Sequence, residues 1–459
     1  MNSPQNTGDS ATTKMSRQGA LGKLLEFASA KLIGSIGGQA MVSGFHFALN
    51  LFLLRVVTPY EYGIFAFAFV IAMFASALNN ALIATPLTVY TPVIECEQSR
   101  RDQEAMLGSL NVALFIALII IGIGYTLLSA APDAIAVAVT VFVATYSARH
   151  YSRSVGYARL QPLVTASGDV AYVVSGVVIV GIAYISTEKL GVTHVLLALA
   201  GANACAMIVE RLRLKGVKHR WWSFANIRDY ARYWDQSRWA LAGSMTTLFM
   251  AQAHSVIITT TNGPNTFAPL AAGFVLFGPV RVALLTWQNM VKPELAIALS
   301  KFDDQRVKSQ IRSTTWITVS AVLILSLCLW IAWPWVHAFL YAKQYADQPM
   351  ALIVGLWAII TIFATSYNAP SAGLQAMRQF KVLAMASVYG AVLSGILVSV
   401  LLYWFNPEHT LFGILIAEAF MALYLTYILF SQLSIRAQTQ SQNLSPESAA
   451  STTERSAPL

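Results

Sequence analysis

Twelve apolar segments run along the chain, and the links that join them alternate between basic and almost uncharged. A run of about 20 apolar residues matches the thickness of a bilayer and crosses it as a helix, because only a helix satisfies its own backbone groups in hydrocarbon. Of the 30 Lys and Arg residues, all but four lie in the N-terminal arm, the even-numbered links and the C-terminal tail. The exceptions are Arg55, Lys189 and Lys343 in odd-numbered links, and Arg281 inside span eight. Short basic links stay on the cytoplasmic side. Both termini are therefore expected in the cytoplasm, with an even number of spans between them.

The spans are expected near 32–54, 63–87, 108–130, 132–148, 168–186, 192–209, 239–261, 267–290, 313–335, 349–368, 381–404 and 410–431. The fold class that follows is an all-α polytopic membrane protein of about 12 transmembrane helices in two pseudo-symmetric six-helix bundles. Residues 1–31 form a cytoplasmic arm in which Leu21, Leu24, Leu25 and Ala28 recur at helical spacing, as either an interfacial helix or an extension of span one. Residues 32–209 form the N-terminal bundle, 210–238 a basic cytoplasmic connector, 239–433 the C-terminal bundle, and 434–459 a polar tail expected to be disordered. A faint repeat supports the two halves. Thr58-Pro59 and a span ending at Asn79, Asn80 and Pro86 parallel Gly263-Pro264 and a span ending at Gln288, Asn289 and Pro293.

Composition removes several function classes. With 56% apolar and 11% charged residues, the chain lies far from soluble domains, which carry about 25% charge. Its formal net charge of +9 does not imply a nucleic-acid partner, because the basic residues sit at cytoplasmic helix ends, where they face anionic headgroups of membrane lipids. Cys96, Cys205 and Cys328 have no paired or metal-ligand spacing. No nucleotide loop, nucleophile constellation or cofactor motif is present in the sequence, and the outer links are too short to carry the acid–base groups of an outer-face glycan polymerase or ligase.

What remains is intramembrane polarity, which is costly in lipid and so informative. In span one Ser35, Gln39, Ser43, His46 and Asn50 follow at steps of three or four residues and form one polar face. Span two groups Ser76, Asn79 and Asn80, and span seven aligns Ser244, Thr247 and His254. Span eight aligns Arg281, Gln288 and Lys292. For the Asn and His residues two readings stay open, helix-to-helix hydrogen bonding and substrate contact; Lys292 sits where it can snorkel to the cytoplasmic headgroups. Arg281 is too deep for that and is expected to line a hydrated cavity or meet an anion. Spans one, two, seven and eight contain no Asp or Glu, whereas a site for Na⁺ or a cationic drug needs a carboxylate. Such a cavity suits a pyrophosphate, which a guanidinium engages at several points. Asp169 in span five and Glu418 in span twelve are candidates for proton coupling or for structural hydrogen bonds.

The stretch LFLLRVVTPYEYGIFAFAFVIAMFASALNNALIATPLTVYTP, from Leu51 to Pro92, resembles the bacterial polysaccharide and O-antigen flippases of the multidrug/oligosaccharidyl-lipid/polysaccharide exporter superfamily. The resemblance lies in the Arg near the end of span one, the Pro and acidic residue in the turn, and the Tyr-Gly opening span two. It returns at Gly263 to Ser300, with Arg281 and the segment Lys292-Pro293-Glu294-Leu295. It implies a non-enzymatic flippase without cofactor or metal in the bacterial cytoplasmic (inner) membrane. The cargo it implies is undecaprenyl-pyrophosphate-linked oligosaccharide for surface polysaccharide synthesis, with a polysaccharide polymerase and chain-length regulator as candidate partners. Arg281, His46, His254 and Lys292 would neutralise the pyrophosphate, and Gln39, Asn50, Asn79, Asn80 and Gln288 would bind sugars. The rival within the superfamily is a cation-coupled multidrug exporter. A membrane glycan polymerase or ligase, and a scaffold acting through the basic connector, are further alternatives.

Overall fold

The computed structural model describes residues 37–128, 133–214, 228–281, 291, 295, 297–299, 301, 303–377 and 379–443. Helices dominate them. In chain order they are α1 (Gly37–Val56), α2 (Pro59–Tyr90), α3 (Glu97–Leu128), α4 (Ala134–Ala158), α5 (Pro162–Ser186) and α6 (Val192–Arg213). There follow α7 (Ala231–Asn262), α8 (Pro264–Val275), α9 (Asp304–Ile331), α10 (Met350–Ala376), α11 (Phe380–Trp404) and α12 (Thr410–Asn443). No strand occurs among the described residues. Ten of these helices, as described, are long and apolar enough to cross a membrane. The other two are α4, whose second half carries Arg149, His150 and Arg153, and α8, which is followed by undescribed residues. The protein is a multi-pass membrane protein.

Local sequence accounts for the helix ends. At α2, Thr58 and Glu61 form a reciprocal capping box: the Thr58 N–H donates to Glu61 Oε2 (3.1 Å) and the Glu61 N–H to Thr58 Oγ1 (3.3 Å). Asp133 caps α4 through Ile135 N–H (2.9 Å), and Asp303 caps α9 through Arg306 N–H (2.9 Å). Gly263, with φ of 86°, turns the chain between α7 and α8, a conformation that only glycine adopts readily. Inside α2, Asn80–Ala84 widen into a π-turn ahead of Pro86, the kind of irregularity that favours functional positions.

The chain divides into two compact units. Unit 1 holds residues up to His46, Asn79–Lys189 and Thr193–Ser237. Its core gathers Ile83, Leu87, Leu107, Tyr151 and Val155. Unit 2 holds Phe47–Leu78, Leu190–Val192 and the chain from Arg238 onward, with Leu295, Val307, Ile311, Leu425 and Leu429 at its centre. In both, large apolar side chains also point outward: Ile120, Ile121 and Leu127 on α3, Ile324, Leu327 and Trp330 on α9. An apolar exterior is unfavourable in water but is the proper surface for lipid.

Three features differ from the sequence expectation. Helix α4 does not stop near 148 but runs to Ala158, carrying Arg149 and Arg153 within it. Helix α12 continues to Asn443, past Ser434 where order was expected to end, and Arg436 donates to the Leu299 carbonyl (2.7 Å). The link after α9 is folded, with a π-turn at His337–Tyr341 and the Tyr341 hydroxyl donating to the Ala272 carbonyl (3.1 Å). The expected interfacial helix in residues 1–31, residues 215–227 of the basic connector and the last part of the tail lie outside the described residues.

Candidate functional site

Each unit holds one deep polar constellation, and the two are built differently. In unit 1, α4 presents Arg149 and Arg153 one turn apart, and both reach Asp169 on α5. Arg149 meets Asp169 Oδ1 at 2.6 Å and Arg153 meets Oδ2 at 3.2 Å. Arg153 also donates to Gln39 Oε1 (2.8 Å), and the Arg149 guanidinium lies 4.3 Å above the Tyr172 ring. The Tyr172 hydroxyl is 2.8 Å from His46 Nε2. Glu210 on α6 accepts from Ser152. Two glycines make the closeness possible. A Cβ on Gly38 would stand 3.0 Å from Asp169 Oδ2, and one on Gly168 would stand 2.2 Å from Glu210 Oε1.

The ionic core of this constellation is closed on Asp169: both of its oxygens accept from arginine. Buried charges are tolerated only when paired and hydrogen-bonded, and such pairs gain little net stability yet are expensive to break. A second cluster at the start of α3 has the same character. Arg159 meets Glu104 at 2.8 Å and Glu97 at 3.2 Å, while the Tyr151 hydroxyl donates to the Glu104 carbonyl (2.8 Å).

In unit 2 the pattern is a stack of rings ending in a cation. His254 is buried on α7, with Nε2 3.0 Å from the Ser255 hydroxyl, and its ring lies 5.6 Å from Trp357. Trp357 donates its indole N–H to the Leu270 carbonyl (2.8 Å) and packs 4.5 Å from Phe274. Phe274 carries the Arg281 guanidinium, 4.4 Å above its centroid. Arg281 itself is exposed. A cation on an aromatic face gains about 0.5–2 kcal/mol, which fixes the guanidinium's place without neutralising it. Glu418 and Tyr367 are within electrostatic range of Arg281. Among the described residues, however, Arg281 forms no ion pair within 4.0 Å. A guanidinium without an ion pair is able to receive an anion.

The residues expected from the sequence therefore distribute as follows. Gln39, His46 and Asp169 join in the unit 1 network, and His254, Arg281 and Glu418 gather in unit 2. Asn50 accepts from the Tyr62 hydroxyl (3.0 Å) within unit 2. Asn79 is fully buried and donates to Asn111 Oδ1 (2.7 Å) and the Ser147 carbonyl (3.1 Å), so its amide is committed to holding α2, α3 and α4 together. Asn80 is exposed at the opening of the π-turn. Gln288 and Lys292 lie outside the described residues. Sequence reasoning missed Arg149, Arg153, Tyr172 and Glu210, having read the arginines only as markers of a cytoplasmic link. Their spacing of four residues and the shortness of the expected fourth span were the available signals. It also missed Phe274 and Trp357, which look like ordinary core aromatics until Arg281 is placed on them.

No protein-family model matches the chain, and no curated protein matches it in sequence. Solved structures do share its fold. The lipid II flippase MurJ, in an inward closed conformation, superposes with a TM-score of 0.62 at 13% identity, over 89% of this chain and 91% of that one. An inward-facing multidrug resistance MATE family transporter of the MOP superfamily gives 0.58 at 13% identity, over 89% and 96%. A Vibrio cholerae MATE transporter gives 0.56 at 13% identity, over 88% and 97%. At such identities the likeness establishes architecture alone: the chain has the all-helical, multi-pass membrane fold shared by MATE transporters and MurJ.

Proposed function

We propose that the protein is a flippase that moves undecaprenyl-pyrophosphate-linked oligosaccharide repeat units across the bacterial cytoplasmic membrane by alternating access, for surface polysaccharide synthesis. The observation that carries the reading is Arg281, an exposed guanidinium deep in the apolar sequence, seated on Phe274 with no ion pair among the described residues. A pyrophosphate is the substrate group that such a cation serves best. At an effective dielectric near 20, a single charge pair about 4 Å apart gains roughly 4 kcal/mol before desolvation, enough to hold a headgroup and still release it. His254, linked to Arg281 through Trp357 and Phe274, supports the ring stack from below. The shared fold with the lipid II flippase MurJ supports a lipid-linked cargo, and transporters among the structural neighbours support a non-enzymatic role.

A second reading, export of cationic drugs, is favoured by a different observation. Glu418 Oε2 is buried without a hydrogen-bond partner among the described residues, and a carboxylate of that kind can take a proton or a cation. Deleting the gene and tracing labelled glycolipids separates the two. Build-up of complete pyrophosphate-linked repeat units on the cytoplasmic leaflet, with surface polymer lost, is the result expected of the flippase. Normal glycolipids with raised drug accumulation would replace it with the exporter. Repeat units that reach the outer leaflet unpolymerised would replace it with a polymerase or ligase.

A further inference from the structure

The cytoplasmic end of α9 carries a feature that transport through the Arg281 region does not use. A cavity of about 430 Å³ in unit 2 is lined by Arg306, Ser309, Gln310, Ser313 and Thr314, and closed on its apolar side by Val291 and Ile317. Arg306, Gln310, Ser313 and Ile317 succeed one another at steps of four, three and four residues, so they share one face of α9. Beyond Ile317 the same face continues through Ile324 and Ile331, which are 63% and 60% exposed. It is polar and cationic at the cytoplasmic end and mainly apolar further in.

Dimensions agree with a lipid. Ser309 to Ser313 cover about 6 Å along the helix, the depth of a headgroup layer on one side of a bilayer. The Asp303 carboxylate already receives the Arg306 backbone N–H, so the helix terminus is capped and the site works through side chains. Arg306 is exposed and its guanidinium forms no ion pair among the described residues. One guanidinium with two hydroxyls offers the donors for a single phosphodiester. The leaflet this end faces is rich in anionic phospholipid.

We infer that this cavity holds the phosphodiester of an anionic phospholipid of the cytoplasmic leaflet, its phosphate on Arg306, Ser309 and Ser313 and an acyl chain along Ile317, Ile324 and Ile331. The test is native mass spectrometry of the full-length protein released from detergent with added phosphatidylglycerol or phosphatidylcholine. Wild type should retain phosphatidylglycerol in preference. Arg306→Gln should weaken retention about fivefold, the equivalent of about 1 kcal/mol for one basic residue near the membrane surface. Arg312→Gln removes a charge of the same sign from an exposed position that does not line the cavity, and should leave retention within twofold. Ile317→Asp, which keeps Arg306, should lower it as Arg306→Gln does. Equal loss in the Arg306 and Arg312 variants would reduce the effect to general surface charge and overturn the site. No preference of wild type for phosphatidylglycerol over phosphatidylcholine, with Arg306-dependent retention of undecaprenyl pyrophosphate added in a parallel sample, would overturn the phospholipid as its occupant.

Discussion

The two deep polar constellations differ in whether their charges are spent. Around Asp169 in unit 1, Arg149 and Arg153 clamp the carboxylate, Gln39 takes a further arginine donor, and Ser152 donates to Glu210. Around Arg281 in unit 2, the guanidinium sits on an aromatic face and forms no ion pair within 4.0 Å among the described residues. Charge in lipid is costly in either case. A closed network returns that cost as helix-to-helix cohesion, whereas an open cation returns it only when a ligand arrives. Under the proposed function, the first region serves cohesion and the second binding, although both look equally polar in the sequence.

Removing a partner from the closed network should have the largest effect on stability. Asp169→Ala leaves the buried Arg149 guanidinium and the half-buried Arg153 guanidinium without their shared carboxylate and is expected to cost about 3–5 kcal/mol, read as an early thermal transition in detergent. An unaltered transition would erase the distinction between the regions. Next comes the close approach of α5 and α6. Gly168→Ala places a methyl group 2.2 Å from Glu210 Oε1 and 2.3 Å from its Cγ, so the carboxylate must leave Ser152, at about 1–3 kcal/mol. Retention of the wild-type transition would show the network to be looser than its geometry. A smaller effect sharpens the same region: Tyr172→Phe deletes the hydroxyl that meets His46 and should cost about 1 kcal/mol, with export preserved. Export lost at full stability would move His46 and Tyr172 from cohesion to substrate contact.

How much of this could be read from residues alone depends on whether the cause is local. Twelve spans and their sidedness follow from hydropathy and the placement of Lys and Arg, because lipid acts on each segment separately. The extension of α4 through Arg149 and Arg153 does not, since those charges enter a helix interior only when Asp169 and Glu210 arrive from α5 and α6. The polar face of α1 was legible as a face, but its division was not. Gln39 and His46 find partners in unit 1, while Asn50 finds Tyr62 in unit 2. For Asn79 the sequence leaves both sugar contact and helix-to-helix bonding open, and its amide bonds Asn111 and the Ser147 carbonyl. Arg281 stood out because a lone cation in an apolar span has no local explanation. Its seat on Phe274 needed the fold.

The central claim, that Arg281 is a substrate cation and not a structural one, is tested most directly by comparing Arg281→Ala and Arg281→Lys with wild type in a deletion strain. Surface-polymer export and membrane abundance should be measured together. The cation–aromatic contact contributes only about 0.5–2 kcal/mol, so abundance should stay near wild type in both variants. Export should vanish in Arg281→Ala and return in part in Arg281→Lys, which keeps the charge but loses the planar fork. Wild-type export by Arg281→Ala at equal abundance would contradict the account.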